Sequence, residues 1–298
     1  METAEKDKWI LAGKIGKEVR EYGASLAKPG ELLLNVAKGI EAKTVALGAR
    51  PAFPPNLSLN QIAAHYTPKF EDDTVLKEGD VLKIDVGANV DGYLSDTATT
   101  VVVGGQENDL VRTTRLALED AIAVAKPGGK ISDVSRVIED RIRSGGFQPI
   151  VNLGGHGVSR YDIHEGDFIP NAYNNSVKLF RKEGAIAIEP FATNGGGYVI
   201  DSSDVQILML SGGRSSRTKL GRDIIDFIKN EYDRLPFAKR WIIEKFGRFA
   251  EMELKGLVSS GSVYEFNVLQ ETDDGIVSPL EKLIPLFMAA AVCLPTCL

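Results

Sequence analysis

An internal repeat restricts the fold of this chain more than any other feature. The tetrapeptide AKPG occurs at Ala27–Gly30 and again at Ala125–Gly128, an offset of 98 residues. Held without a gap, that offset aligns Val36 with Val134, Ile40 with Ile138 and Glu41 with Glu139. It also aligns Gly48 with Gly146 and Pro51 with Pro149, giving nine identities in 25 positions. Each copy reads as a helix, a PG turn, a second helix, a glycine, then a proline ahead of a strand. Gly48 suits the residue that follows a helix in left-handed conformation. The pattern predicts an α/β (α+β) fold made of a duplicated unit about a pseudo-two-fold axis. Its strands would form one curved sheet, and its helices would cover one face. A ligand site is expected where the halves meet.

The repeat stops after Gly195–Gly197. From about Arg217 to Gly247 the pattern turns helical, with Leu220, Ile224, Ile225 and Ile228 on one stripe. Residues 1–199 and 259–298 therefore read as the main domain, and 200–258 as an inserted helical subdomain. A chain of 298 residues with 43% hydrophobic side chains can build one large core with an insertion.

The net charge of −6 comes without any long Lys/Arg run, so no specific nucleic-acid partner is expected. Both cysteines, Cys293 and Cys297, fall in the last six residues. The body of the chain has no possible disulfide, which fits a reducing, cytoplasmic setting. The start, METAEKDKWILAGK, lacks a signal-peptide apolar region. The apolar tail 285–298 is too short to span a membrane and is broken by proline.

Chemistry is concentrated in a few residues. There are three histidines, His65, His156 and His164, each in a short polar or glycine-rich context. Acids sit in similar contexts: Asp85 in KIDVG, Asp96 in LSDTA, Glu189 in AIEPF, Glu281 in SPLEKL. Asp85 and Asp96 flank the turn NVDG. A loop centred on Val90–Asp91 would make them direct cross-strand neighbours; a one-residue shift would leave them close but not opposed. Two buried like charges need a proton or a metal between them. The glycines beside His156 permit close backbone approach. His164 is eight residues further on, so a regular strand would put both rings on one face. Each residue alone has a structural explanation. Together they form a set of oxygen and nitrogen donors suited to divalent metals. Rival chemistries have no footing: the glycine clusters match neither dinucleotide nor phosphate-loop fingerprints, and no Gly-x-Ser-x-Gly elbow occurs.

The segments PAFPPNLSLNQIAAHYTP, LKIDVGANVDGYLSDTATTV, GGHGVSRYDIHEG and AIAIEPFATNGGGYV resemble type II methionine aminopeptidases of the archaeal, short-N-terminus kind. The resemblance runs from about residue 5 to 284 and implies the pita-bread fold. It implies Asp85, Asp96, His156, Glu189 and Glu281 as ligands of two divalent ions (Co, Mn, Fe or Zn), with Asp96 and Glu281 bridging. Glu189 would also shuttle a proton. His65 and His164 would contact substrate and stabilise the tetrahedral intermediate, and Phe53 and Ile163 would line the methionine pocket. The implied substrates are N-terminal Met peptides of nascent chains near the ribosome, and the implied state is a monomer. Pro279 and Lys282 depart from the family, which has glutamine and histidine there. Two alternatives share the fold: a prolidase-type peptidase, which usually carries an extra N-terminal domain, and a non-catalytic ribosome- or nucleic-acid-binding relative, which lacks the full ligand set.

Overall fold

A computed structural model describes residues 3–166, 168–212 and 216–286. Cys293, Cys297 and most of the apolar tail lie outside the described residues. The first half comprises α1 (Thr3–Leu26), α2 (Leu33–Ala46), β1 (Arg50–Pro51), β2 (Asn56–Leu59), β3 (Ile62–Ala64), β4 (Val81–Val86), β5 (Ala88–Val90), β6 (Tyr93–Leu94) and β7 (Thr97–Val102). The second begins with α3 (Asp109–Val124), α4 (Ile131–Ser144), β8 (Gln148–Pro149), β9 (Gly154–Val158), β10 (Ile169–Pro170), β11 (Gly184–Ile188) and β12 (Phe191–Thr193). Then come β13 (Val199–Leu210), α5 (Lys219–Glu231), β14 (Phe237–Ala238), α6 (Lys239–Phe246), α7 (Ala250–Ser259) and β15 (Val263–Glu271). The described chain closes with β16 (Val277–Pro279) and β17 (Glu281–Leu286).

The main sheet has the strand order β10-β9-β11-β17-β7-β4-β2, all antiparallel. Its pseudo-two-fold passes between β17 and β7. On one side lie β7, β4 and β2; on the other lie β17, β11 and β9. The helix pair of each half packs on that half's strands. Val19, Val36 and Ile40 meet Leu82 and Ile84 in one core. Leu118, Val134 and Ile138 meet Ile186 and Ile284 in the other. Each such side chain, once buried, contributes about 1.5–3 kcal/mol.

The duplication extends to backbone bonding. Gly30 N donates to Leu76 O at 2.8 Å, and Gly128 N to Phe180 O at 3.2 Å. Leu33 N donates to Thr74 O at 2.9 Å, and Ile131 N to Lys178 O at 3.0 Å. The repeated glycines also share a conformation: φ is 87° at Gly30 and 69° at Gly128, 81° at Gly48 and 86° at Gly146. These left-handed values favour residues without a Cβ, which is why glycine stands at both copies.

The segment 200–258 differs from a wholly helical insertion. It opens as β13, which pairs with β15, and β15 in turn pairs with β3. Helical structure begins only at Lys219, where the Thr218 hydroxyl accepts from Gly221 N at 2.9 Å as an N-cap. Apolar side chains Ile224, Ile228, Ile242 and Leu254 pack with Leu208 and Phe237 in a separate core. Pro236 leads into the short strand β14. The segment docks on the first half through Arg240, which is 1% exposed. Arg240 makes two bonds to Glu41, at 2.6 and 3.1 Å, and one to Pro68 O at 3.0 Å. Trp241 Nε1 donates to the same Glu41 carboxylate at 2.9 Å.

Candidate active site

The strand pairing corrects one register. Asn89 pairs with Leu94 and Val90 with Tyr93, so the turn centres on Asp91–Gly92 rather than Val90–Asp91. Asp91 and Gly92 both have positive φ, which this tight turn requires. Asp85 accordingly faces Ala98, and Asp96 lies diagonally from it, just before β7. The two carboxylates still interact: burial first, and Asp96 second, hold the Asp85 acid well above its usual range.

His156 sits mid-strand in β9, and its neighbouring glycines are forced by close packing. A Cβ on Gly155 would stand 2.2 Å from the Ala187 carbonyl oxygen, and one on Gly157 would stand 1.8 Å from that of Glu165. No regular strand joins His156 to His164. The chain reverses through Ser159–Asp162, with Tyr161 at φ 57°, and Glu165 N returns to Gly157 O at 2.8 Å. That reversal brings the two imidazole rings to 4.5 Å between centroids at 73°.

Glu189 follows β11, and Glu281 begins β17, where it faces Ala98. Ile188 pairs with Lys282, so the ladder's next step sets Glu189 beside Glu281. His156 Nε2 lies 3.4 Å from Glu189 Oε1 and 3.6 Å from Asp96 Oδ2. Asp96, His156 and Glu281 each offer a donor atom within 4.8 Å of the others.

Electrostatics bind these groups into one unit. Burial raises the acids of Asp85, Glu189 and Glu281 well above their usual range, and the neighbouring carboxylates add to it. Asp96 is raised to about 7 by burial, against a lowering hydrogen bond from Glu281. His156 is lowered to about 4 by burial, so the short contacts to acids are not ion pairs at neutral pH. His164 is lowered to about 3 by burial, then by His156 and His65. With Nδ1 donating to Gly157 O at 3.2 Å, the Nε2 of His156 presents a lone pair toward two acids. Asp85 Oδ1 and Glu281 Oε1 are buried with no hydrogen-bond partner. Orphaned buried oxygens in a cavity shared with a neutral imidazole are what divalent ions would satisfy, and the donor set is hard to borderline. The residues fit such ions.

All of them line one cavity of about 380 Å³. His65 and His164 also line it. His65 holds φ 64°, and its Nδ1 lies 3.1 Å from Asn267 O. Phe266 packs against both, with centroids 5.6 Å from His65 and 6.5 Å from His164. Phe53 and Ile163 also line the cavity, both buried. Sequence reasoning missed Phe266, Ile207, Asn56 and Lys83, which share the lining. Lys83 is 1% exposed and donates to Asn60 O at 2.6 Å. Burial lowers its pKa well below the usual value, with Asp80 opposing. Strand alternation places Lys83 on the face of Asp85, a signal present in LKIDVG.

A carboxylate–imidazole cluster at the seam of a duplicated α/β fold defines a class, the metal-dependent hydrolases. Comparisons with known proteins narrow it. The model of metallopeptidase family M24 matches residues 9–214. A methionine aminopeptidase from Pyrococcus abyssi is 50% identical over 283 residues, covering 93% of this chain and 95% of that protein. The methionine aminopeptidase of Methanocaldococcus jannaschii is 40% identical over 284 residues, covering 95% and 96%. Among solved structures, a thermophilic Arx1 superposes with a TM-score of 0.85 at 16% identity, covering 97% of this chain and 90% of that one. A methionine aminopeptidase from Thermotoga maritima gives 0.71 at 24% identity, covering 97% and 95%; these two likenesses speak for the fold alone. The chain belongs to metallopeptidase family M24, in its methionine aminopeptidase branch.

Proposed function

We propose that the protein is a type II methionine aminopeptidase that removes the initiator methionine from nascent chains. The observation that carries this reading is the convergence of four acids and His156 on a cavity whose remaining lining is largely apolar. Asp85, Asp96, His156, Glu189 and Glu281 would hold two divalent ions, with Asp96 and Glu281 shared between them. When bound, such ions activate water and polarise a carbonyl.

The protein's own groups do the rest. Glu189 is set to pass a proton to the leaving amine, since burial already keeps its acid weak. His164 is held neutral, so its single N–H can donate to an oxyanion; neutral His65 spends its Nδ1 N–H on Asn267 O, which leaves Nε2 as an acceptor for a substrate N–H. Phe53 and Ile163 would form the wall that admits an unbranched thioether chain. The segment 200–258 is read as a subdomain inserted between the strands of the catalytic domain. We place the enzyme in the cytoplasm near the ribosome, as a monomer without a nucleic-acid or membrane partner. Among the described residues no helix is long and apolar enough to cross a membrane.

The test is direct. Metal-loaded protein should release methionine from a Met-Ala-Ser peptide and leave Met-Lys-Ser intact. Asp96→Asn should lower turnover more than about 100-fold, beyond the usual effect of residues that merely support ligands. An untouched Met-Ala-Ser peptide, or full turnover by the variant, would end this reading.

A further inference from the structure

Helix α1 runs behind the segment that carries Asp96. A Cβ on Gly16 would stand 2.3 Å from Ser95 Oγ and 3.5 Å from a Thr97 methyl. Ser95 Oγ accepts from Ala88 N at 2.8 Å, so it is not free to swing aside. One turn along the helix, Arg20 Nη1 donates to Thr97 Oγ1 at 2.6 Å. Gly16 and Arg20 are four residues apart and share a helix face. Ser95 and Thr97 flank Asp96, and extended backbone sends flanking side chains opposite to the one between them. The helix therefore grips the neighbours of Asp96 from behind, while the Asp96 carboxylate enters the cavity.

The same hydroxyl reaches the other half of the molecule. Thr97 Oγ1 donates to the Glu281 carbonyl oxygen at 3.2 Å, and Leu283 N donates to Asp96 O at 3.0 Å. The Arg20 guanidinium also senses the Glu281 carboxylate, which with Glu21 opposes the lowering effect of burial. One helix-borne cation is thus tied to both acids at the seam.

We propose that Arg20 is a positioning residue that fixes the spacing of Asp96 and Glu281, and with it the geometry of the metal pair. This rests on the reading of those acids as shared ligands. Groups that hold ligands in place tune a metal site without touching the ion. A guanidinium suits the task because it stays charged and its fork has little freedom once bonded.

The probe is Co(II) alone, added to metal-free full-length protein and followed by calorimetry and visible absorption. Arg20→Met should weaken Co(II) binding by roughly 10–100-fold and change the ligand-field bands. It should lower kcat on Met-Ala-Ser more than it raises KM, and Arg20→Lys should restore part of each effect. Arg141→Met, which removes an exposed ion pair with Asp120, should leave spectrum and affinity as in wild type. Wild-type spectrum and affinity in Arg20→Met overturn the proposal. Should that variant not fold, Thr97→Val removes the bond from Arg20 and the bond to Glu281 O with little change of shape; an unaltered spectrum there overturns it equally. Wild-type protein that takes up no Co(II) would strike instead at the ligand reading beneath it.

Discussion

Glu189 Oε1 and His156 Nε2 meet at 3.4 Å, an acid whose pKa burial raises well above its usual range against an imidazole whose pKa burial lowers to about 4. The raised acid favours its protonated form at this contact, and a divalent ion held by these residues would compete with that proton. The pair therefore couples metal binding to pH.

Asp96 titrates near 7 when folded, and Asp85, Glu189 and Glu281 also lie above their usual range. Unfolded, they lose their protons near pH 4. The folded state then holds extra protons, so these acids favour folding below about pH 4 and lose that effect as pH rises through 7. The histidines act in the opposite sense, and only below about pH 6.5. Above that pH the acids act alone. The Tm of metal-free protein should fall between about pH 6.5 and 8, and metal binding at pH 7 should release at least about one proton. Calorimetry in buffers of different ionisation enthalpy measures the release; no buffer dependence would contradict it.

On the proposed reading, His164 acts on substrate rather than on metal. His164→Ala should cut kcat by roughly 10²–10³-fold while leaving the metal content unchanged. Metal analysis beside steady-state kinetics checks this, and a parallel loss of metal would make the residue a ligand instead.

Gly155 is a packing requirement, since a Cβ there meets the Ala187 carbonyl, which is backbone and cannot yield cheaply. Gly155→Ala should destabilise the protein by about 1–3 kcal/mol, through overpacking. Chemical denaturation would reveal it; an unchanged midpoint would mean that β9 and β11 are less tightly apposed than the structure has them.

Arg240 should matter far more than its distance from the site suggests. Arg240→Ala leaves the half-buried Glu41 carboxylate without its fork and should cost about 3–5 kcal/mol. Glu41→Gln should cost less, because Trp241 and Arg240 keep an acceptor. Equal effects of the two changes, read from unfolding curves, would count against an ionic dock.

The duplication was legible because it survives as residue identity, down to the paired glycines at 30 and 128. Acids embedded in apolar strand patterns marked the candidate ligands, since a chain rarely buries a carboxylate without a partner. The hairpin register was not legible: NVDG allows two loop centres, and only cross-strand packing selects one. The path from His156 to His164 depends on left-handed Tyr161, a residue type that gives no local warning of it. Arg20 and Arg240 act across long sequence separations, which no local pattern reveals. Strand character in 199–210 was hidden because most of its residues are partly exposed and its pairing with β15 is irregular.

The last described strand, β17, lies at the middle of the main sheet, between β11 and β7. The keystone of the arch is thus made only after the strands on both sides of it. Until residues 281–286 leave the ribosome, the two half-sheets present facing open edges, the kind of surface that recruits stray strands. A truncation or frame change just ahead of residue 281 would strike the centre of the architecture, not its margin.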